Sequence, residues 1–347
     1  MFLRPGICTV SLGRSAAGHS LSHKLMAASQ HGFEGIDLLY EDLHDFAEQK
    51  YGSSCQDHEL RAAQDITFLC QELKLEIICL QPFMHFGGRI DRETHQQDLV
   101  RLQHWTQLCQ ILKTDLIVFP SSFLSKEKLS TDTSTVVSDM IDAADLGSSA
   151  SPPIRFALEA LCWGTNIDTW DASWDVVRYV NKPNFGICLD TFNIAGRVFA
   201  DPTQPNGCVA DAVQALQRSL HRLMGTVDSS KVFMVQTADA EKLSSPLNPS
   251  HPFHHKDQPA RMSWSRNARL FYGEEKCGSY LPIRAIHEAI VHGLGYKGWV
   301  SFEVFNRALF DTDPELPDTI ASRASKSWTK LIRHVNQDED RSTTSLL

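Results

Sequence analysis

The chain has 347 residues, 42% hydrophobic and 22% charged, the balance of a globular protein with enough apolar material for a large core. A formal net charge of −9 argues against a dominant nucleic-acid or acidic-membrane surface. Nine cysteines without CxxC pairs suit free thiols in a reducing compartment, no run approaches the about 20 apolar residues of a membrane span, and MFLRPGICTVSLG lacks a secretory pattern, so a cytoplasmic location is expected.

Apolar runs then alternate with amphipathic segments. Gly6–Leu12 reads as a first strand, followed by a helix over Ser20–His31. Glu34–Tyr40 is the second strand, and His58–Leu73 a helix with Leu60, Ala63, Ile66, Leu69, Cys70 and Leu73 on one face. Leu75–Leu80 is the third strand, Arg92–Leu112 a long helix, Asp115–Phe119 the fourth strand and Thr131–Leu146 the next helix. Ile154–Leu158 and Phe185–Leu189 flank a helical segment, Ser173–Val180, in a strand–helix–strand unit whose two strands end in Glu159 and Asp190. A loop carrying Pro202, Pro205 and Gly207 leads to a helix over Val209–Val227, and Lys231–Val235 is a seventh strand ending at Gln236. Residues 237–281 form a long polar stretch, of a length that in compact domains belongs to functional or disordered loops. A helix over Pro282–Leu294, an eighth strand over Gly298–Phe302 ending at Glu303, and a helix over Ala321–Asn336 complete the pattern.

Eight strands alternating with eight helices predict one α/β domain over 1–337, a (β/α)₈ TIM barrel with a long insertion between strand 7 and helix 7. The polar segment 338–347 is expected to be a disordered tail. Two open doubly wound domains are the alternative, although neither standard glycine-rich phosphate loop is present.

On a barrel, Glu159, Asp190, Gln236 and Glu303 follow strands five to eight at the end where such folds keep their chemistry. Three converging carboxylates repel one another unless a cation sits among them, and oxygen ligands suit Mg²⁺ or Mn²⁺, with Co²⁺ a further candidate. One of the four could instead cap a helix. His19, after strand one, and His85, after strand three, are candidate imidazole bases, as is His251 in the long stretch.

Several blocks carry a family resemblance. FEGIDLLYEDL (33–43), CLQPF (79–83), EALCW (159–163), CLDTFN (188–193), VQTADA (235–240) and QPARMSWSR (258–266) resemble the fungal 3-dehydroshikimate dehydratases of quinate utilisation. These sit within the xylose-isomerase-like barrels, and the likeness runs from about Ile7 to Leu331. It implies metal-dependent loss of water from 3-dehydroshikimate to give protocatechuate, with Glu159, Asp190, Gln236 and Glu303 as the divalent-metal ligands. It also implies a cation for the substrate carboxylate, Arg266 first, then Arg269 and Arg89, with Ser265, Gln81 and Asn193 as further substrate contacts. Bacterial dehydratases resemble Asp-x-x-His after strand six, whereas this chain has Asp190-Thr-Phe-Asn193, and an amide cannot take up a proton at neutral pH. The resemblance to sugar epimerases then implies metal-bound Glu303 or Glu159 as the base, one oxygen on the ion and the other facing the substrate, with His19, His85 and His251 as the competing imidazoles. The expected partner is a small molecule, with no nucleic acid or membrane and with homo-oligomerisation open. A sugar isomerase or epimerase, a repair nuclease and a non-enzymatic binding protein are the rival readings of the same fold.

Overall fold

Eight short runs rich in Val, Ile, Leu and Phe become strands in the computed structural model, which describes residues 3–344 and side chains as far as residue 336. They are Leu3–Cys8 (β1), Gly35–Leu39 (β2), Glu76–Gln81 (β3), Leu116–Pro120 (β4), Arg155–Glu159 (β5), Phe185–Asp190 (β6), Val232–Thr237 (β7) and Gly298–Phe302 (β8). Each pairs in parallel with the next, and β8 returns to β1, with Leu3 opposite Gly298 and Ile7 opposite Phe302, closing the barrel. Helices cover the outer face, which is why β2, β4 and β6 are buried along their whole length.

The two-residue period of a strand builds the site. Ala157, Cys188 and Met234 belong to an apolar cluster with Ile78, Cys79, Leu116 and Val118. Two residues on from those three, on the same face of each strand, come Glu159, Asp190 and Gln236. An apolar plug thus supports a polar layer at the C-terminal mouth. Register fixes their heights: Glu159 lies opposite Cys188, and Asp190 opposite Gln236.

The elements differ from the expected ones in several places. β1 stops at Cys8, and Thr9–Leu12 forms a tight 3₁₀ turn rather than continuing the strand. Side chains there take over the ladder's role: Thr9 Oγ1 accepts from Leu39 N at 3.1 Å, and Ser11 Oγ accepts from Val304 N at 2.8 Å. Two helices start directly from strand ends, Tyr40–Tyr51 after β2 and Thr191–Val198 after β6.

The 237–281 stretch has internal order. Asp239–Ala240 pairs antiparallel with Arg269–Leu270, and the helix Ala260–Ala268 lies between them. Its segment around Phe253 is tied down by the Arg307 guanidinium, 5.1 Å over the Phe253 ring, while Arg307 Nη1 donates to Glu241 Oε2 at 2.7 Å. The last helix, Leu316–Thr344, runs past residue 338, where the tail was expected to begin; 345–347 lie outside the described residues.

Candidate active site

Glu159, Asp190 and Glu303 converge at the mouth: one oxygen from each lies within 4.8 Å of the others, and all three side chains are buried. Asp190 works in two directions. Its Oδ1 caps the helix Thr191–Val198, accepting from Phe192 N at 2.7 Å and Asn193 N at 3.3 Å, while Oδ2 faces the site. Asn193 Nδ2 donates to Glu159 Oε1 at 2.8 Å and to Asp190 Oδ2 at 2.9 Å, clamping the two acids together. Its Oδ1 accepts from Cys162 N at 3.0 Å, so both ends of the amide are engaged.

Arg269 reaches this layer because the two-residue ribbon pairs its backbone with Ala240, just past the C-terminal end of β7. Nη1 donates to Asp190 Oδ2 at 2.8 Å and Glu303 Oε2 at 3.1 Å, Nε donates to Ser265 Oγ at 2.9 Å, and the guanidinium lies 4.2 Å over the Phe192 ring. Burial opposes its charge, but the fields of Asp190, Glu303 and Glu159 outweigh burial and raise its pKa.

Gln81 and Gln236 close the other side. Gln236 Nε2 donates to Gln81 Oε1 at 3.1 Å and Glu303 Oε1 at 3.2 Å, and Gln81 Nε2 donates to Glu303 Oε1 at 3.1 Å. Behind them Asp37, on β2, is fully buried, and burial lifts its carboxyl to about 8.

Three carboxylates and one guanidinium leave the layer formally two charges negative. The strain is visible in the acids: burial, then the charges of Glu303 and Asp190, push Glu159 far above the carboxylate range, and burial lifts Glu303 to about 7 against the pull of Arg269. A hard divalent cation matches both the charge deficit and the donor set, oxygens of Glu159, Asp190, Glu303 and Gln236. The residues therefore fit a divalent metal.

Above the acids opens a cavity of about 780 Å³, within the about 300–1,000 Å³ of small-ligand sites. Glu159, Glu303, Gln81, Ser265 and Arg269 form part of its lining, Arg266 sits in its wall, and Trp163, Phe123 and Phe305 supply aromatic surface.

A family model described as a xylose isomerase-like TIM barrel matches residues 25–331. A 3-dehydroshikimate dehydratase of Neurospora crassa is 49% identical over 333 residues, covering 94% of this chain and 93% of the relative. One from Pseudomonas aeruginosa is 28% identical over 88% of this chain, which spans 38% of that longer protein. Among solved structures, a fusion of a xylose isomerase-like barrel with a 4-hydroxyphenylpyruvate dioxygenase superposes with a TM-score of 0.74 at 24% identity, covering 99% of this chain and 45% of its own. The probable 3-DHS dehydratase AsbF from Bacillus anthracis gives 0.60 at 16% identity, over 94% and 99% of the two chains. The chain belongs to the 3-dehydroshikimate dehydratases of the xylose isomerase-like barrel family.

Against that family background the remaining candidates sort by position. His19 is buried away from the cavity, with Nε2 2.7 Å from the carbonyl of Asp311. His85 stands behind Phe123, its ring centroid 4.4 Å from that ring and Nδ1 3.2 Å from Ser122 Oγ; burial lowers its pKa to about 4. His251 packs against Phe253, and its Nδ1 accepts from Phe253 N at 3.0 Å. Arg89 is committed to Asp98 at 2.7 Å. Arg266 has no carboxylate partner among the described residues; burial and the nearby charge of Arg14 lower its pKa. Sequence reasoning missed Arg14, His44, His254 and His255, which also line the cavity. The 251–258 loop that delivers two of them has no period to betray its inward fold, whereas the FEGIDLLYEDL block already contained the start of the helix that carries His44.

Proposed function

We propose that the protein is a divalent-metal-dependent 3-dehydroshikimate dehydratase, producing protocatechuate and water. The observation that carries the reading is the acid layer of Glu159, Asp190 and Glu303 in a chain that matches the Neurospora dehydratase over nearly its whole length. Glu159, Asp190, Gln236 and Glu303 would hold the ion, Mg²⁺ or Mn²⁺ by its oxygen donors. When bound, it supplies Lewis-acid stabilisation of negative charge on the C3 ketone oxygen.

The substrate proton at C4 lies alpha to the C3 ketone, and the C5 hydroxyl is beta to it. A carboxylate of the layer takes the C4 proton. Glu159, which a divalent cation among the acids would hold ionised, is the better placed for this, since three donors, Gln81, Gln236 and Arg269, already engage Glu303, whereas Glu159 accepts from Asn193. Loss of the C5 hydroxyl, protonated as it leaves, forms the C4–C5 double bond. Transfer of a C6 proton to the C3 oxygen then completes the aromatic ring. Arg266, a cavity cation without an acid partner among the described residues, binds the substrate carboxylate, and the aromatic wall excludes water from the ring faces.

The test is an ultraviolet assay for protocatechuate on purified protein, before and after chelation and with Mg²⁺, Mn²⁺ and Co²⁺ restored one at a time. Turnover that is lost on chelation and regained with metal is the expected result. Full activity in a metal-free preparation would defeat the metal role, and turnover of ketoses instead of 3-dehydroshikimate would favour an epimerase.

A further inference from the structure

We propose that Arg14 is a specificity-determining residue of this site, a second cation that closes with Arg266 on the substrate carboxylate and gives up Glu41 in exchange for it. The inference rests on the function proposed above and extends its carboxylate contact from one arginine to two.

The Arg14 guanidinium stands in the cavity wall, because its three neighbours all line the cavity. It lies 5.6 Å over the Phe305 ring and 5.5 Å over the Phe310 ring, and Nη1 is 3.4 Å from Glu41 Oε2. The backbone fixes its origin: Arg14 N donates to Leu309 O at 3.0 Å, and Arg14 O accepts from Ala17 N at 3.0 Å. The residue is held ready, yet its charge is poorly matched. Its side chain is only 20% exposed, while its one ion pair is long and made to a carboxylate that is itself 54% exposed. Nε and Nη2 have no hydrogen-bond partner among the described residues. Donors shielded from water in this way call for an acceptor. Arg266 lines the same cavity, also without an acid partner among the described residues, and lies near enough for the charge of Arg14 to lower its pKa. An anion received by both relieves that repulsion. The substrate brings one. Its carboxylate is on C1, across the ring from C4, so a ring whose C4 faces the acid layer turns its carboxylate away from the three acids. Arg14 and Arg266 are the lining arginines that are not bound to that layer. A fork of two N–H bonds to the carboxylate outweighs the single long contact with Glu41, which returns to water.

The experiment separates the carboxylate from the rest of the ligand. Protocatechuate and catechol, the same ring without the carboxylate, are titrated calorimetrically into metal-restored wild type, Arg14→Met, Glu41→Gln and the double variant. Arg14→Met should weaken protocatechuate by about 10–150-fold, the equivalent of one charge-assisted bond, and leave catechol within about 2-fold, the scatter of independent sites. Equal weakening of the two ligands would overturn the proposal, since Arg14 would then act on the shape of the cavity. Glu41→Gln releases Arg14 and should bind protocatechuate at least as tightly as wild type; weaker binding there would refute the exchange. The double variant should stay as weak as Arg14→Met. Recovery of affinity in it would mean that Arg14 acts only by neutralising Glu41, and the clamp would fall. Should the methionine variant not fold, Arg14→Lys keeps the charge and gives up the fork, and it should still weaken protocatechuate more than catechol; wild-type affinity for both would count against the two-bond contact. A metal-restored wild type that neither turns over 3-dehydroshikimate nor binds protocatechuate would defeat the function on which this rests, whereas undiminished protocatechuate affinity in Arg14→Met would defeat only the role of Arg14.

Discussion

Arg269 and Arg266 stand three positions apart and have opposite situations, which separates their mutational signatures. Arg269 is 1% exposed and ion-paired to Asp190 and Glu303, so removing it leaves two buried anions uncompensated, a loss of about 3–5 kcal/mol in comparable buried pairs. Arg269→Met is therefore expected to lower the melting temperature of the metal-free protein sharply and to regain part of the loss when Mn²⁺ is added, which thermal scans with and without metal would register. Arg266 has no acid partner to lose among the described residues. Arg266→Met should leave the melting temperature and Mn²⁺ affinity close to wild type while lowering kcat/KM by about 10–150-fold, the equivalent of a charge-assisted bond of about 1.5–3 kcal/mol. Steady-state kinetics on 3-dehydroshikimate decide it, and unchanged kcat/KM would remove Arg266 from the substrate-binding set.

Among the elements, the helix Thr191–Val198 ties a ligand to the fold, because Asp190 is at once its N-cap and a member of the acid layer. Asp190→Asn keeps a capping oxygen, while Asp190→Ala loses it; the alanine variant should be less stable than the asparagine variant by about 0.5–2 kcal/mol, with Mn²⁺ binding impaired in both. Urea denaturation of the two metal-free variants measures that difference, and equal midpoints would show that the cap contributes nothing. The sequence made the barrel legible because its strands are apolar runs at regular spacing, and the last four lead into polar residues: Glu159, Asp190, Gln236 and Glu303 could be placed at one mouth from order alone. The cap was legible only as a general alternative for one acid of the four, and the helix it starts was read as loop, because Asp190-Thr-Phe-Asn follows the strand with no breaker between. Arg269 was read as a substrate contact, and nothing local reveals that a two-residue ribbon carries it onto the acids. Likewise, whether His19 and His85 face the cavity depends on loop paths, to Asp311 and behind Phe123, that no periodicity encodes.

At the scale of the whole molecule, the raised carboxyls of Glu159, Glu303 and Asp37 all make stability fall as pH rises, and Asp37 is the one that lies below the proposed ligands and is not one of them. Burial holds its carboxyl at about 8, against about 3.9 in an unfolded chain, and its Oδ1 has no hydrogen-bond partner among the described residues. The folded state therefore binds this proton more tightly than the unfolded state does. Its contribution is fully present below about pH 4 and is lost progressively as pH rises through the window to about 8, at up to about 1.4 kcal/mol per unit. This slope runs opposite to the one that salt-bridged carboxylates give at acid pH. Asp37→Asn replaces the proton by a fixed amide of the same shape. In metal-free protein it should flatten the fall in stability between pH 5 and 8, and the variant's advantage over wild type should grow toward the alkaline end. Urea midpoints at several pH values for both proteins measure this. An identical slope in Asp37→Asn would mean that Asp37 is ionised in the folded protein and that its charge is compensated from within the barrel.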